Sequence, residues 1–203
     1  MTRESRLRRL VAELLPDYLT LVEPDSARLF DLEAVRLLEA NVPAWSRRER
    51  AGAGVIAELP TRRGERLTVF VRIEPEPGSE GARRLARLVL DLLRHHGRPV
   101  LASAVFIRGG SPGPNLCTVS IAELAGLELL RLSYTGFGLS AAVAEHYLRC
   151  SQPLAWALAA AMRPHTLSRA ELRRACLARI EAAELAPGRK ALLAGFVRSS
   201  LGL

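Results

Sequence analysis

The stretch Arg66 to Glu74, RLTVFVRIE, constrains the fold of this chain more than any other. Its side chains alternate. Leu67, Val69, Val71 and Ile73 fall on one side, and Thr68, Phe70, Arg72 and Glu74 on the other, the two-residue period of a β-strand. The preceding Pro60-Thr61-Arg62-Arg63-Gly64 has turn chemistry, and Ala51 to Leu59 reads as another strand, so a hairpin is predicted. Pro75, Pro77 and Gly78 stop the strand. A helical period then begins: Leu85, Leu88, Val89 and Leu92 form one apolar stripe from about Glu80 to His96, with Ser79 as the expected cap and Gly97 as the stop. Pro99 to Ile107 is nearly continuous apolar sequence, as a buried central strand requires. Hairpin, helix and buried strand together predict α/β architecture.

The flanks read as helix. Leu7, Leu10, Val11, Leu14 and Leu15 recur at helical spacing until Pro16 interrupts them, and Tyr18, Leu19 and Leu21 carry the face onward. Residues 34–41 are a candidate first strand, 108–115 a Gly/Pro-rich loop, and 116–121 and 127–134 further strand candidates. From Ser140 helices are expected over about 140–149, 153–162, 168–184 and 188–200, with Ser168 and Glu171 spaced as a capping box. The expected organisation is a core over 1–138 and a C-terminal helical extension over 139–203 packed on it.

Hydrophobic residues are 49% and charged residues 25%, which suits a packed globular chain rather than a disordered one. No apolar run approaches the roughly 20 residues of a membrane span. Cys117, Cys150 and Cys176 are too few and too scattered for a disulfide framework, so a cytoplasmic location with free thiols is expected. Net charge is +8, carried almost wholly by arginine, with Lys190 the only lysine. A GC-rich codon bias produces that imbalance; a phosphate-facing surface also favours the arginine fork.

The local signal for chemistry is Glu74-Pro75-Glu76. Two carboxylates one residue apart point to the same side of an extended backbone and could share a divalent cation, while an exposed strand end before a Pro-rich turn needs no function at all. His95 and His96 end a helix, where imidazoles are favourable for dipole reasons alone.

A set of motifs in order extends this reading. They are Leu14-Leu15-Pro16-Asp17-Tyr18-Leu19; Arg48-Glu49-Arg50 leading into Ala53-Gly54-Val55-Ile56; Val69-Phe70-Val71-Arg72-Ile73-Glu74-Pro75-Glu76; Arg83-Arg84 with Arg94-His95-His96-Gly97-Arg98-Pro99-Val100; and Pro153-Leu154-Ala155-Trp156-Ala157-Leu158. In this order the chain resembles the Rpn family of recombination-promoting nucleases, the YhgA-like transposases of the PD-(D/E)XK nuclease superfamily. The resemblance implies a restriction-endonuclease-like α/β core, a mixed sheet with flanking helices. It also implies an active site with an Asp on the first hairpin strand and Glu-x-Gln or Glu-x-Lys on the second, holding Mg²⁺.

Here Glu74 stands at the family's Glu, Glu76 at its Gln/Lys, and Gly54 at its Asp. Losing a carboxylate implies a degenerate, cleavage-incompetent member with a remnant Glu74/Glu76 pair. No cofactor is expected, and Mg²⁺ only if Glu74 retains a residual metal site. DNA is the expected partner, through Arg72, Arg83, Arg84 and Arg87. Two alternatives stand beside this: an active Mg²⁺-dependent endonuclease promoting recombination through Glu74 and Glu76, and a protein-interaction or dimerisation module. A homodimer is expected because Leu154, Trp156, Leu158, Met162, Leu172, Cys176, Ile180, Leu192, Leu193 and Phe196 exceed what short surface helices need. No membrane partner is expected.

Overall fold

The computed structural model describes residues 2–38, 54–124 and 127–200. The chain opens with helices α1 (Arg3–Glu13), α2 (Leu15–Val22) and α3 (Pro24–Ala27). Thr2 caps α1 by accepting the Ser5 N–H at 3.2 Å, and Pro16 lies in the first turn of α2, where its missing N–H does no harm. The interruption expected at Pro16 is therefore a break between two helices.

A six-stranded sheet follows in the order β1-β2-β3-β4-β6-β5. The strands are β1 (Arg36–Leu37), β2 (Gly54–Pro60), β3 (Arg66–Glu74), β4 (Val100–Phe106), β5 (Asn115–Leu124) and β6 (Leu127–Gly138). Strands β1, β2 and β3 run antiparallel in sequence. Helix α4 (Ser79–His96) crosses from β3 to β4, which lies parallel to it. Strand β6 is parallel to β4, and β5 returns antiparallel on the outer edge.

The hairpin of β2 and β3 forms as the alternation predicts. The candidate strand 34–41 is realised as Arg36–Leu37, and its last three residues lie outside the described ones, as do Ala51 to Ala53 and Arg48-Glu49-Arg50. Ser79 is the first residue of α4 rather than its cap; Gly78 holds the cap position, and no side chain caps the helix. Strands β5 and β6 run beyond the expected 116–121 and 127–134. Gly136 and Gly138 let β6 continue, because a Cβ at Gly136 would lie 2.7 Å from the Cys117 sulfur and one at Gly138 2.8 Å from the Ser111 carbonyl oxygen.

Two apolar cores lie on opposite faces of the sheet. Phe70, Ala102, Ala104, Phe106 and Tyr134 meet Leu85, Leu88, Val89 and Leu92 of α4 on one face. Val55, Ala57, Leu59, Val69, Val71, Ile73, Val105 and Phe137 meet α1, α2 and the C-terminal helices on the other. Those helices are α5 (Ala144–Leu148), α6 (Pro153–Ala159), α7 (Arg169–Ala182) and α8 (Pro187–Ser199); the first is shorter than expected at both ends, and the second begins as expected and ends three residues early. The capping box at the start of α7 is present in both directions, Ser168 Oγ accepting from Glu171 N and Glu171 Oε2 from Ser168 N. Helix α6 is buried nearly all round, and α8 rests on α1.

The apolar excess that suggested a homodimer is consumed here. Of the ten side chains counted, all but Leu192 are buried inside the chain, and Leu192 packs half-buried against the same core. No described helix is long and apolar enough to cross a membrane.

Candidate functional site

Strand β3 delivers Glu74 to the C-terminal edge of the sheet on the α4 face. The strand end is pinned by the Ile107 N–H donating to the Glu74 carbonyl at 2.9 Å and the Arg108 N–H donating to the Pro75 carbonyl at 2.8 Å. Arg72, two residues back, shares the face, and its Nε donates to Glu74 Oε1. Their side chains keep only 10% and 8% of their exposure. Glu74 also sits under the first turn of α4: a Cβ on Gly81 would stand 3.4 Å from its Oε1. The positive end of an 18-residue helix and a guanidinium therefore both neutralise this carboxylate.

Glu76 is not part of that arrangement. The chain leaves extended geometry after Glu74, and the Glu76 side chain is 68% exposed, 3.8 Å from the Arg108 guanidinium. The remnant pair expected from Glu74-Pro75-Glu76 is thus split, one carboxylate inward and one outward, because Pro75 turns the backbone between them. Gly54 pairs with Arg72 in the hairpin register, beside the end of β3 that carries Glu74. Its φ of +149° and its crowding go further: a Cβ there would lie 3.0 Å from the Val71 carbonyl carbon and closer still to its oxygen. No ordinary side chain fits without moving β3.

Glu58, on the same face of β2, is held by Arg98 and by Arg66 at 2.9 Å. The Arg98 hydrogen bond, against some burial, keeps its carboxyl below the usual range. It belongs to the opposite end of the hairpin. His96 nearby is shifted down by burial and by the adjacent positive charge of Arg98. Among the described residues no three His, Cys, Asp or Glu converge as a metal site. The residues present do not fit Mg²⁺: Gly54 offers no ligand and no room for one, Arg72 occupies Glu74, and Glu76 is turned away.

A cleft of about 370 Å³ opens between the start of α4 and the β5–β6 hairpin. Gly78, Ser79, Ala82 and Arg83 form one wall and Thr118, Val119, Ser120 and Tyr134 the other. Tyr134 of that wall and Cys117, its partner across β5 and β6, were not visible as site residues in the sequence. Burial, the neighbouring Cys117 thiol and the Glu74 charge push the Tyr134 phenol up to about 12, so it stays protonated at neutral pH. Tyr134 ends the candidate strand 127–134, and the pairing of β6 with β4 and β5 puts it on the α4 face.

The four arginines expected at a nucleic-acid surface divide. Arg72 is buried and committed to Glu74, and does not reach the surface. Arg84 pairs with Glu80 at 3.0 Å. Arg83 and Arg87 are exposed one turn apart on the outer face of α4, with Arg94 also exposed further along.

Comparison with known proteins adds no relative: no protein-family model, no curated protein and no solved structure matches the chain.

Proposed function

We propose that this chain is a nuclease-like α/β protein that binds nucleic acid and does not cut it. One observation carries the reading: Arg72 is buried against Glu74, so a protein cation stands where the resemblance would put a metal ion. The order of elements supports the frame, with an antiparallel hairpin ending in the acidic residue, a crossover helix and a buried parallel strand. The closed position of Gly54 supports the loss of cleavage, and exposed Arg83, Arg87 and Arg94 support attraction to a phosphate backbone. These arginines contact phosphates rather than base edges, so binding is tolerant of sequence.

Fluorescence polarisation with a labelled duplex, followed across salt, tests the binding, and plasmid nicking with Mg²⁺ or Mn²⁺ tests the chemistry. Binding should weaken steeply with salt, and Arg83→Ala/Arg87→Ala should reduce the log–log slope by roughly 2. Nicking that disappears in Glu74→Ala would restore the endonuclease alternative. Absence of binding at about 0.1 M salt, where surface fields are screened within about 10 Å, would remove the nucleic-acid reading.

A further inference from the structure

The fold brings four arginines from distant parts of the chain to one place. Arg3 is the first residue of α1, and Arg6 lies one turn further on. Arg108 follows the end of β4, and Arg169 is the first residue of α7. Burial, and then the charges of Arg169, Arg108 and Arg6, push the Arg3 guanidinium below its ordinary value. Charges act on one another in this way only when close, since surface fields are screened within about 10 Å at 0.1 M salt.

The group is poorly neutralised. Among the described residues the single ion pair that any of the four makes is between Arg108 and the exposed Glu76, at 3.8 Å. Glu4, beside Arg3 in the sequence, forms no ion pair with it, and Glu171 of the first turn of α7 is bonded to the Ser168 N–H at 2.8 Å. Arg169 and Arg6 donate through Nη1 to uncharged carbonyls, that of Met162 at 2.8 Å and that of Ser199 across the groove between α1 and α8 at 3.3 Å. Arg3 is half-buried, and its Nη2 is closed off from solvent without a hydrogen-bond partner. One turn along α7 from Arg169, Arg173 also has a buried Nε with no partner.

A codon bias towards arginine accounts for how many there are, not for their convergence. Two of them also stand where a cation is disfavoured: Arg3 and Arg169 open helices of 11 and 14 residues, whose N-termini attract anions. Repulsion, desolvation and two opposed dipoles all act against this arrangement in the chain alone, and a dense anion reverses each of them. Arg3 breaks no Nη2 bond in turning to such an anion. A carboxylate would offset one charge of the four, whereas phosphate groups carry more and match the guanidinium fork.

We propose that Arg3, Arg6, Arg108 and Arg169 bind a phosphate-bearing anion of two or more negative charges between the starts of α1 and α7 and the end of β4. The cluster uses other arginines than those on α4 and does not depend on the nucleic-acid reading. A small polyphosphate and a nucleic-acid backbone offer the same chemistry, and the test separates them.

The probe is inorganic pyrophosphate, titrated into the full chain by calorimetry in phosphate-free buffer, with ionic strength held constant by chloride. A dissociation constant below about 1 mM is expected. At about a hundred times that constant the melting temperature should rise by roughly 5–10 °C. Arg3→Met and Arg108→Gln should each weaken binding roughly tenfold or more, while Arg83→Ala/Arg87→Ala leaves it unchanged. Without pyrophosphate, Arg3→Met should melt no lower than the parent, because it removes a desolvated and repelled charge. A duplex that displaces pyrophosphate assigns the phosphates to nucleic acid. Duplex binding alongside pyrophosphate, unaffected by Arg3→Met, assigns them to a small polyphosphate. Neither heat nor stabilisation up to about 10 mM pyrophosphate overturns the proposal. So does stabilisation that chloride reproduces, binding indifferent to Arg3→Met and Arg108→Gln, or an Arg3→Met variant that melts lower than the parent with no anion added.

Discussion

Removing one member of the Arg72–Glu74 pair should damage the fold far more than removing both. With 10% and 8% of their side-chain exposure left, neither group can recover water when its partner goes. An uncompensated buried charge costs about 3–5 kcal/mol, a large share of the roughly 5–15 kcal/mol that holds a domain folded. Arg72→Met and Glu74→Leu should each fall in that range. For a chain of this size that is a loss of roughly 6–20 °C in melting temperature. The double variant removes both desolvation penalties and puts apolar atoms on the α4 face of the sheet, so it should cost at least about 2 kcal/mol less than either single. Urea unfolding followed by circular dichroism, with unchanged m-values, measures all four corners of the cycle. Singles costing under about 1 kcal/mol, as exposed pairs do, or a double equal to the sum, would show that the pair is neither buried nor coupled.

Three further outcomes are expected. Gly54→Asp, which on the family pattern restores a metal carboxylate, should instead lose about 2–4 kcal/mol through a disfavoured φ and a displaced β3 backbone, with no Mg²⁺ binding by calorimetry; a variant as stable as the parent would refute the crowding. Burial opposes ionisation of Glu145, but backbone N–H groups of Leu167, Thr166 and His165 donate to it and outweigh that, holding it at about 2 against an ordinary 4.5. A depressed carboxyl contributes stability above its ordinary value and loses it as pH falls towards the folded one, so melting temperature should drop between pH 4.5 and about 2. Glu145→Gln should be less stable at neutral pH and flatter across that window; identical profiles would exclude the cap. Cys176, buried and pushed up to about 12, should resist a thiol reagent in the native state while reacting fully in denaturant, and rapid native labelling of all three cysteines would contradict the packing of α7.

The strands and helices with a strong period were legible because burial in them follows from position alone. Leu67 to Glu74 alternates, α4 carries a single apolar stripe, and Ser168 with Glu171 marks a helix start through two local hydrogen bonds. The site was legible only in part. The sequence places Arg72 and Glu74 on one face, but whether that face is open depends on α4 folding back over it, a contact set by the crossover and not by spacing. Reading Glu74 and Glu76 as neighbours assumed an extended backbone through Pro75, where the strand ends. Gly54 reads as a missing ligand in the sequence. Only the register against Val71 and Arg72 reveals it as a closed position. Tyr134 lay inside the candidate strand 127–134, but its place beneath α4 follows from the pairing of β6 with β4 and β5, which no local pattern shows.

The contact between the first helix and the last also sets a schedule. Arg6 and Ser199 are hydrogen-bonded across a sequence separation of 193 residues, and the core beneath them draws on both ends of the chain. During synthesis at about 5–20 residues per second, α1 emerges before α8 and waits roughly 10–40 seconds for it. Through that interval Leu7, Leu10 and Val11 have only part of their eventual surroundings, and the sheet face they cover is closed on one side alone. The nascent chain is thus vulnerable to aggregation through the apolar face of α1, and the groove between α1 and α8 comes into existence only once α8 has emerged.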